Sequence, residues 1–428
     1  SSKRINGPRG HVLTQHKELT DTHAPPKPLL SRLPDSCEAS SPEAVGSRYD
    51  ADFFLSLIPF YTASIYPTHP IIGEHEVRHC IETMEMDRVA KAFACAFAAI
   101  TVHHASTHAN SEGGMSSKVR FLVNSAAVAL GPILPGQEVS VPMIMSYDFL
   151  ATCSVALLDS RLAFLYLRHA ISLAETLKLG DYIPPQDSVP PETLRQQRLY
   201  WLLYVHERYQ SISEYRNAVL NALPSMPEHD TTVSLGVQVG FLRLVKLFTL
   251  VDDNFTENWL SRRQDGRVTP AWVITKCEAF YRDEADADAE SQMLTPEQQA
   301  DLTITRHWLL TLVWRMAMIN ALLDDIAPEA CLSLLFPVRI LDRLRQAVTK
   351  SSYEAIVIHG AGIVQKLFEI TDTMADVVLY VPQVSLDDSA ARVDSLLFLL
   401  QLVFTIPHLD GTRKDILGAK LERLHSIM

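Results

Sequence analysis

The stretch from Pro190 to Pro224, PPETLRQQRLYWLLYVHERYQSISEYRNAVLNALP, decides the fold. Pro191 followed by Glu192 reads as the first turn of a helix. A proline there gives up no needed N–H, and the acid meets the positive end of the helix dipole. The helix is expected to run to about Ser213. Leu194, Trp201, Val205 and Tyr209 recur at helical spacing and define an apolar face, with Arg195, Arg198 and Glu207 on its borders. So aromatic a helix must be covered by other elements.

Working outward, those elements also read as helices. Asp87 to His104 is apolar almost all round and is expected to be a buried central helix. Ser117 to Leu130 is amphipathic and stops at Gly131-Pro132, and Ser146 to Leu158 with Arg161 to Leu179 makes a helical pair closed by Gly180. Downstream, Val233 to Leu260 reads as one long helix, followed by an irregular region in which the acidic run Arg282 to Glu290 is a solvated loop. Thr295-Pro296-Glu297-Gln298 is a capping box that launches a helix to about Asp325. Ser351 with Glu354 caps the next helix, expected to continue through Leu367 to Tyr380, and Asp388 to Phe404 and Gly411 to Ser426 complete the set. The fold class is therefore all-α: a large multi-helix domain with helical hairpins over residues 47–428, with a possible subdivision near 227–295. No internal repeat at a fixed period is present.

Composition agrees. With 47% hydrophobic residues in 428, the chain can bury a large core, and its 16 glycines fall below the usual share of about 7%. A formal net charge of −12 makes these residues a poor electrostatic partner for DNA or an anionic membrane. The six cysteines, Cys37, Cys80, Cys95, Cys153, Cys277 and Cys331, have no paired spacing, so neither a disulfide framework nor a cysteine zinc site is indicated. Residues 1–46 carry Lys3, Arg4, Arg9 and Lys17 among several prolines, the composition of a basic linker.

The run Arg195 to Arg198, then Tyr200, Trp201, Leu203, Tyr204, Glu207, Arg208, and later Arg216 and Leu223-Pro224, resembles the central segment of the regulatory (middle homology) domain of fungal zinc-binuclear-cluster transcription factors. Glu207 stands where that family usually has aspartate, and Gln196 and Gln197 where arginines are common. The preceding helix with Tyr166, Arg168, Ala170, Ile171, Ala174, Leu177 and Leu179 resembles the family's helix in the same order, as do Phe53-Phe54, Ile65-Tyr66-Pro67 and His69-Pro70-Ile71-Ile72 further upstream. Lys366-Leu367-Phe368-Glu369-Ile370 is similar to the branch that controls amylase and maltose genes. The resemblance implies a non-enzymatic domain acting in the nucleus. It also implies promoter DNA read by a zinc cluster that these residues do not contain, a small-molecule inducer, and a homodimer or co-regulator contact. KRINGPRG resembles the linker that follows such a cluster, so the cluster and its zinc are expected ahead of residue 1. Tyr200, Tyr204, Arg208 and Arg216 are the candidates to line an inducer cavity, where a few polar groups amid aromatics would orient a small ligand.

Two motifs point to chemistry instead, and define an alternative helical metal-dependent enzyme. His75-Glu76-Val77-Arg78-His79 matches HExxH, which holds zinc between two imidazoles one turn apart. A zinc hydrolase needs a third ligand, and Glu82 and Glu85 are arbitrary choices for it. Asp252-Asp253-Asn254-Phe255-Thr256-Glu257 is similar to the acidic motif with which terpene cyclases hold magnesium, but the second metal-binding motif is missing at Asp324-Asp325. The bland reading, solvated helix surface, is preferred for both. His103-His104 reads as a helix end in the core.

Overall fold

The structure is a computed structural model that describes residues 49–106, 112–181, 189–261, 266–288, 290–324, 330–381, 386–406 and 409–427. The basic linker 1–46 and Cys37 lie outside the described residues. Among those described there is helix and no strand, and no helix is long and apolar enough to cross a membrane. They fall within one unit, Val45–Met428.

The first half is built on small and aromatic side chains. Asp50 accepts the Phe53 N–H at 2.9 Å and starts α1 (Ala51–Ser56). A short turn, Ile58–Phe60, then leads into a π-helical turn, Tyr61–Ile65. After the proline-broken segment to Gly73 come α2 (Glu74–Thr83) and α3 (Arg88–Ser106). The alanines of α3 let neighbours approach closely, and Ala92 through Ile100 are all fully buried. It packs against α4 (Glu112–Leu130) and α5 (Val141–Ala156), and α5 pairs with α6 (Ser160–Thr176). Leu158, at φ +60°, turns the chain between them, and Asp159 caps α6 through the Leu162 N–H.

Helix α7 (Pro191–Glu214) is the predicted central helix, ended by Tyr215 at φ +55°. Its surroundings exceed the expectation of one apolar face. Arg198, Glu207 and Arg208 are as deeply buried as Leu194, Trp201 and Val205, so the helix is covered on every side. The second half comprises α8 (Leu235–Thr249), α9 (Asp253–Ser261), α10 (Pro270–Asp288), α11 (Pro296–Ile319), α12 (Phe336–Lys350), α13 (Tyr353–Val357), α14 (Gly360–Tyr380), α15 (Leu386–Thr405) and α16 (Gly411–Ile427). There α11 packs against α8, α10 and α12 to α14, and α14 carries α15 and α16. The Thr295 capping box starts α11 as expected, with both reciprocal hydrogen bonds formed.

Three sequence expectations are corrected. The single helix expected over Val233 to Leu260 is two, because the Asp252 carboxylate takes the Phe255 N–H at 2.8 Å and opens a new N-terminus. The helix expected from Ser351 to Tyr380 is also two. Ser352, not Ser351, caps α13, and Gly360, at φ +61°, starts α14 afresh. The acidic run Arg282 to Glu290 is mostly the end of α10, where Asp283 pairs with buried Arg306 at 2.7 Å, while Glu290 just beyond pairs with Arg243 at 2.8 Å.

Candidate functional site

The polar side chains of α7 hold several other elements. Near its start Arg195 pairs with Glu76 of α2 at 2.6 Å. One turn on, Arg198 donates to the Pro70 carbonyl at 3.0 Å and pairs with Asp230 at 2.6 Å, both side chains being buried. Burial alone would raise the Asp230 carboxyl. The Thr232 hydrogen bonds and the Arg198 guanidinium outweigh it and hold the carboxyl below its ordinary value.

The middle of α7 fixes the loop that follows it. The Glu207 carboxylate accepts the Val219 N–H at 3.0 Å and the Leu220 N–H at 2.8 Å, and pairs with Arg168 of α6 at 2.8 Å. Arg208 donates to the Leu220 carbonyl at 2.9 Å and pairs with Asp253 of α9 at 2.6 Å. From α9, Trp259 donates its indole N–H to the Ile212 carbonyl at 2.9 Å. Tyr209 reaches the other way, its ring 5.7 Å from that of Trp308 on α11, with Lys366 of α14 5.8 Å above it. A helix that touches so many neighbours through directional bonds positions them all against one frame.

The four candidate inducer residues can now be located. Tyr200 donates to the Asn221 carbonyl at 2.7 Å, Arg208 to Leu220, and the Tyr204 ring lies 4.8 Å beneath the Arg208 guanidinium. Tyr200 and Arg208 thus hold the segment after α7 by its Asn221 and Leu220 carbonyls, and Tyr204 lies under Arg208. Arg216 stands apart, exposed, with its guanidinium 4.7 Å over the Phe164 ring. A crevice between Pro67, Thr68, Gly240, Phe241, Gln298 and Asp301 has room for about one water, far short of a sugar.

The enzyme motifs come apart in three dimensions. His75 and His79 are exposed on α2, and Glu76, the base an HExxH hydrolase would need, is bound to Arg195. The carboxylates of the acidic motif are each taken by a different cation: Asp252 by Lys276 at 2.7 Å, Asp253 by Arg208 at 2.6 Å and Glu257 by Arg267 at 3.3 Å. They are helix-end ion pairs, not a converging set. The histidine pair ending α3 is buried, with His104 Nδ1 2.6 Å from the Ile358 carbonyl. The five described cysteines are free thiols and buried, as expected of small apolar residues.

One group that could hold a metal was not foreseen. A ring nitrogen of His69, a carboxylate oxygen of Asp148 and a ring nitrogen of His206 lie within 4.8 Å of one another. It is the one such group of three among the described residues. Asp148 is fully buried on α5, and its Oδ1 is 2.6 Å from His206 Nδ1 on α7. The spacing 69, 148, 206 carries no signal, although an aspartate inside the apolar run of α5 is a local anomaly.

No protein-family model matches the chain. Its relatives are fungal regulators of transcription and of sugar use. It is 24% identical to the probable sucrose utilization protein SUC1 of Candida albicans over 60% of this chain and 51% of that protein. It is 22% identical to the respiratory transcription factor ZNF1 of Saccharomyces cerevisiae over 83% of this chain and 75% of that protein. It is also 22% identical to the maltose fermentation regulatory protein MAL33 of the same yeast, over 74% and 67%. The chain thus spans about half the length of one relative and two thirds or more of the others. These relatives bear out the resemblance to the fungal zinc-cluster regulators and agree with its maltose-regulator branch. They give the alternative enzyme reading no support.

Proposed function

We propose that this chain is the regulatory body of a fungal zinc-cluster transcription factor that adjusts the expression of sugar-utilisation genes in the nucleus. Promoter DNA would be read by a zinc cluster that these residues do not contain, since the net charge of −12 suits the body poorly to a polyanion. The observation that carries the reading is the agreement of several fungal regulators over half to four fifths of the chain. The body carries no catalytic activity of its own, a reading supported by the dispersal of both metal motifs into separate ion pairs and exposed positions.

Signal reception is assigned to the α7 seam. Tyr200 and Arg208, with the Tyr204 ring beneath Arg208 and Arg216 at the rim, hold the segment after α7 through the Asn221 and Leu220 carbonyl oxygens, bonds that a hydroxyl-rich inducer can replace. An inducer acts there only by binding the opened loop better than the closed one, with about 1–3 kcal/mol of coupling being typical. Homodimer and co-regulator contacts fall on the outer helices, because α7 has no free face.

The test joins the full chain to an unrelated DNA-binding domain and reads a reporter gene in yeast grown on glucose, maltose or sucrose. A change of about fivefold or more between sugars is expected, abolished by Arg208→Met. A reporter indifferent to every sugar would refute the reading.

A further inference from the structure

We propose that His69, Asp148 and His206 form a binding site for a single divalent transition-metal ion, with zinc as the best-suited occupant. The argument begins with one proton. Thr68 Oγ donates to the Ile65 carbonyl at 3.0 Å and lies 2.9 Å from His69 Nδ1. With the single hydroxyl hydrogen assigned to the Ile65 carbonyl, His69 Nδ1 is the donor in the second bond. The ring is therefore the Nδ1–H tautomer, and its Nε2 presents a lone pair. That nitrogen is sealed from solvent and meets no donor in the protein. A metal-bound histidine has this same arrangement, one ring nitrogen fixed by a neighbouring acceptor and the other bare.

Asp148 supplies the second anomaly. Its carboxylate is fully buried, Oδ1 is engaged by His206, and Oδ2 has no hydrogen-bond partner. A buried carboxylate oxygen left bare is costly, as is a buried imidazole nitrogen left bare, and here both occur in one cluster. The His69 and His206 rings are 5.2 Å apart between centroids. A cation is the simplest partner that satisfies two lone pairs at once, since neither can donate to the other.

Two imidazoles and one carboxylate suit zinc, which binds them at about 2.0–2.2 Å. Four-coordinate geometry then places donor atoms about 3.4 Å apart, so donors now spread over as much as 4.8 Å close by small side-chain rotations. Binding at His206 Nδ1 asks its proton to pass to Nε2, an ordinary tautomer shift. The ligands come from the segment after the π-helical turn, from α5 and from α7. A bound ion therefore cross-links three elements that the sequence keeps more than fifty residues apart. The site does not depend on the transcriptional role proposed above.

The experiment loads the full chain with Zn2+, dialyses it against metal-free buffer and measures retained zinc, with Co2+ as a spectroscopic probe of the ligand set. One ion per chain is expected, with a visible Co2+ spectrum of nitrogen and oxygen ligation and a raised melting temperature. Asp148→Asn and His206→Gln, which keep shape, should weaken retention at least tenfold. A variant combining His75→Ala and His79→Ala should retain the ion, which separates the buried site from surface histidines. Loss of all zinc from the native chain on dialysis, or stoichiometric zinc in Asp148→Asn and His206→Gln, would overturn the proposal. Circular dichroism of each variant guards against misfolding, and a variant that unfolds is replaced by His69→Gln.

Discussion

Replacing Glu207 with glutamine tests whether α7 holds its following loop through charge. The native carboxylate makes two hydrogen bonds to backbone N–H groups, at 3.0 and 2.8 Å, and an ion pair with Arg168, while its side chain is almost wholly buried. Glutamine keeps the shape but turns one oxygen into an NH2 group that faces a backbone donor. Two charge-assisted bonds, each worth about 1.5–3 kcal/mol, become one neutral bond of about 1 kcal/mol and one donor facing a donor. Arg168 is partly exposed and also donates to the Asn217 carbonyl, so the loss of its partner adds little. The net cost is about 3 kcal/mol, which for a body of this size lowers the melting temperature by about 4 °C. Scanning calorimetry reads that shift, and hydrogen exchange reads the Val219 and Leu220 amides, which should exchange faster than in the native chain. Glu207→Asp keeps the charge but is shorter by about 1.5 Å, so it should fall between the two. A glutamine variant melting within about 1 °C of native, with both amides still protected, would show that the carboxylate is not what holds the loop.

Three further outcomes follow from buried groups. Lys366→Met should cost about 3–5 kcal/mol near neutral pH, because it strands Asp301, whose carboxylate lies 2.9 Å from the Lys366 ammonium. Burial would raise that carboxyl, but Lys366, His359 and Thr305 hold it at about 2. A lowered folded-state pKa stabilises the native chain above the unfolded value near 3.8 and loses that stability as pH falls toward 2. The gap between variant and native, read by urea denaturation across pH, should therefore narrow in acid. Glu214 is the opposite case: burial raises it to about 7 against the pull of Arg216, and one of its oxygens is sealed without a partner. Its stabilising protonated form is complete below the unfolded value of 4.5 and is lost as pH rises through 7. Glu214→Gln should thus raise the melting temperature at pH 8 by about 1–3 °C and leave it unchanged at pH 4, a gain of about 1–2 kcal/mol after solvent screening. Gly360→Ala should lower the melting temperature by about 2–4 °C in the same calorimeter. It forces a side chain into φ +61° and places Cβ 2.9 Å from His103 Nε2.

The helical class and the place of α7 were legible because proline at the first turn, aromatic spacing and the Thr295 capping box are local signals. What escaped was the fate of the charges. Arg198 and Glu207 look like the borders of an amphipathic helix until partners distant in sequence, Asp230 and Arg168, neutralise them. The break at Asp252 was hidden because an aspartate can decorate a helix or begin one, and only the Phe255 N–H distinguishes the two. The four residues chosen for an inducer share a stretch of sequence, yet Tyr200 and Arg208 bond the segment after α7, Tyr204 lies under Arg208, and Arg216 lies outside on Phe164. His69, Asp148 and His206 were invisible because no spacing rule joins residues contributed by three separate elements.

Because α7 is enclosed on all sides, the stretch that reveals this chain's kinship is also the one least able to dock a second macromolecule. In a genetic screen, most damage there will read as low abundance of the protein. Surface left open to another molecule lies instead at exposed apolar positions such as Leu158, Leu165 and Val219.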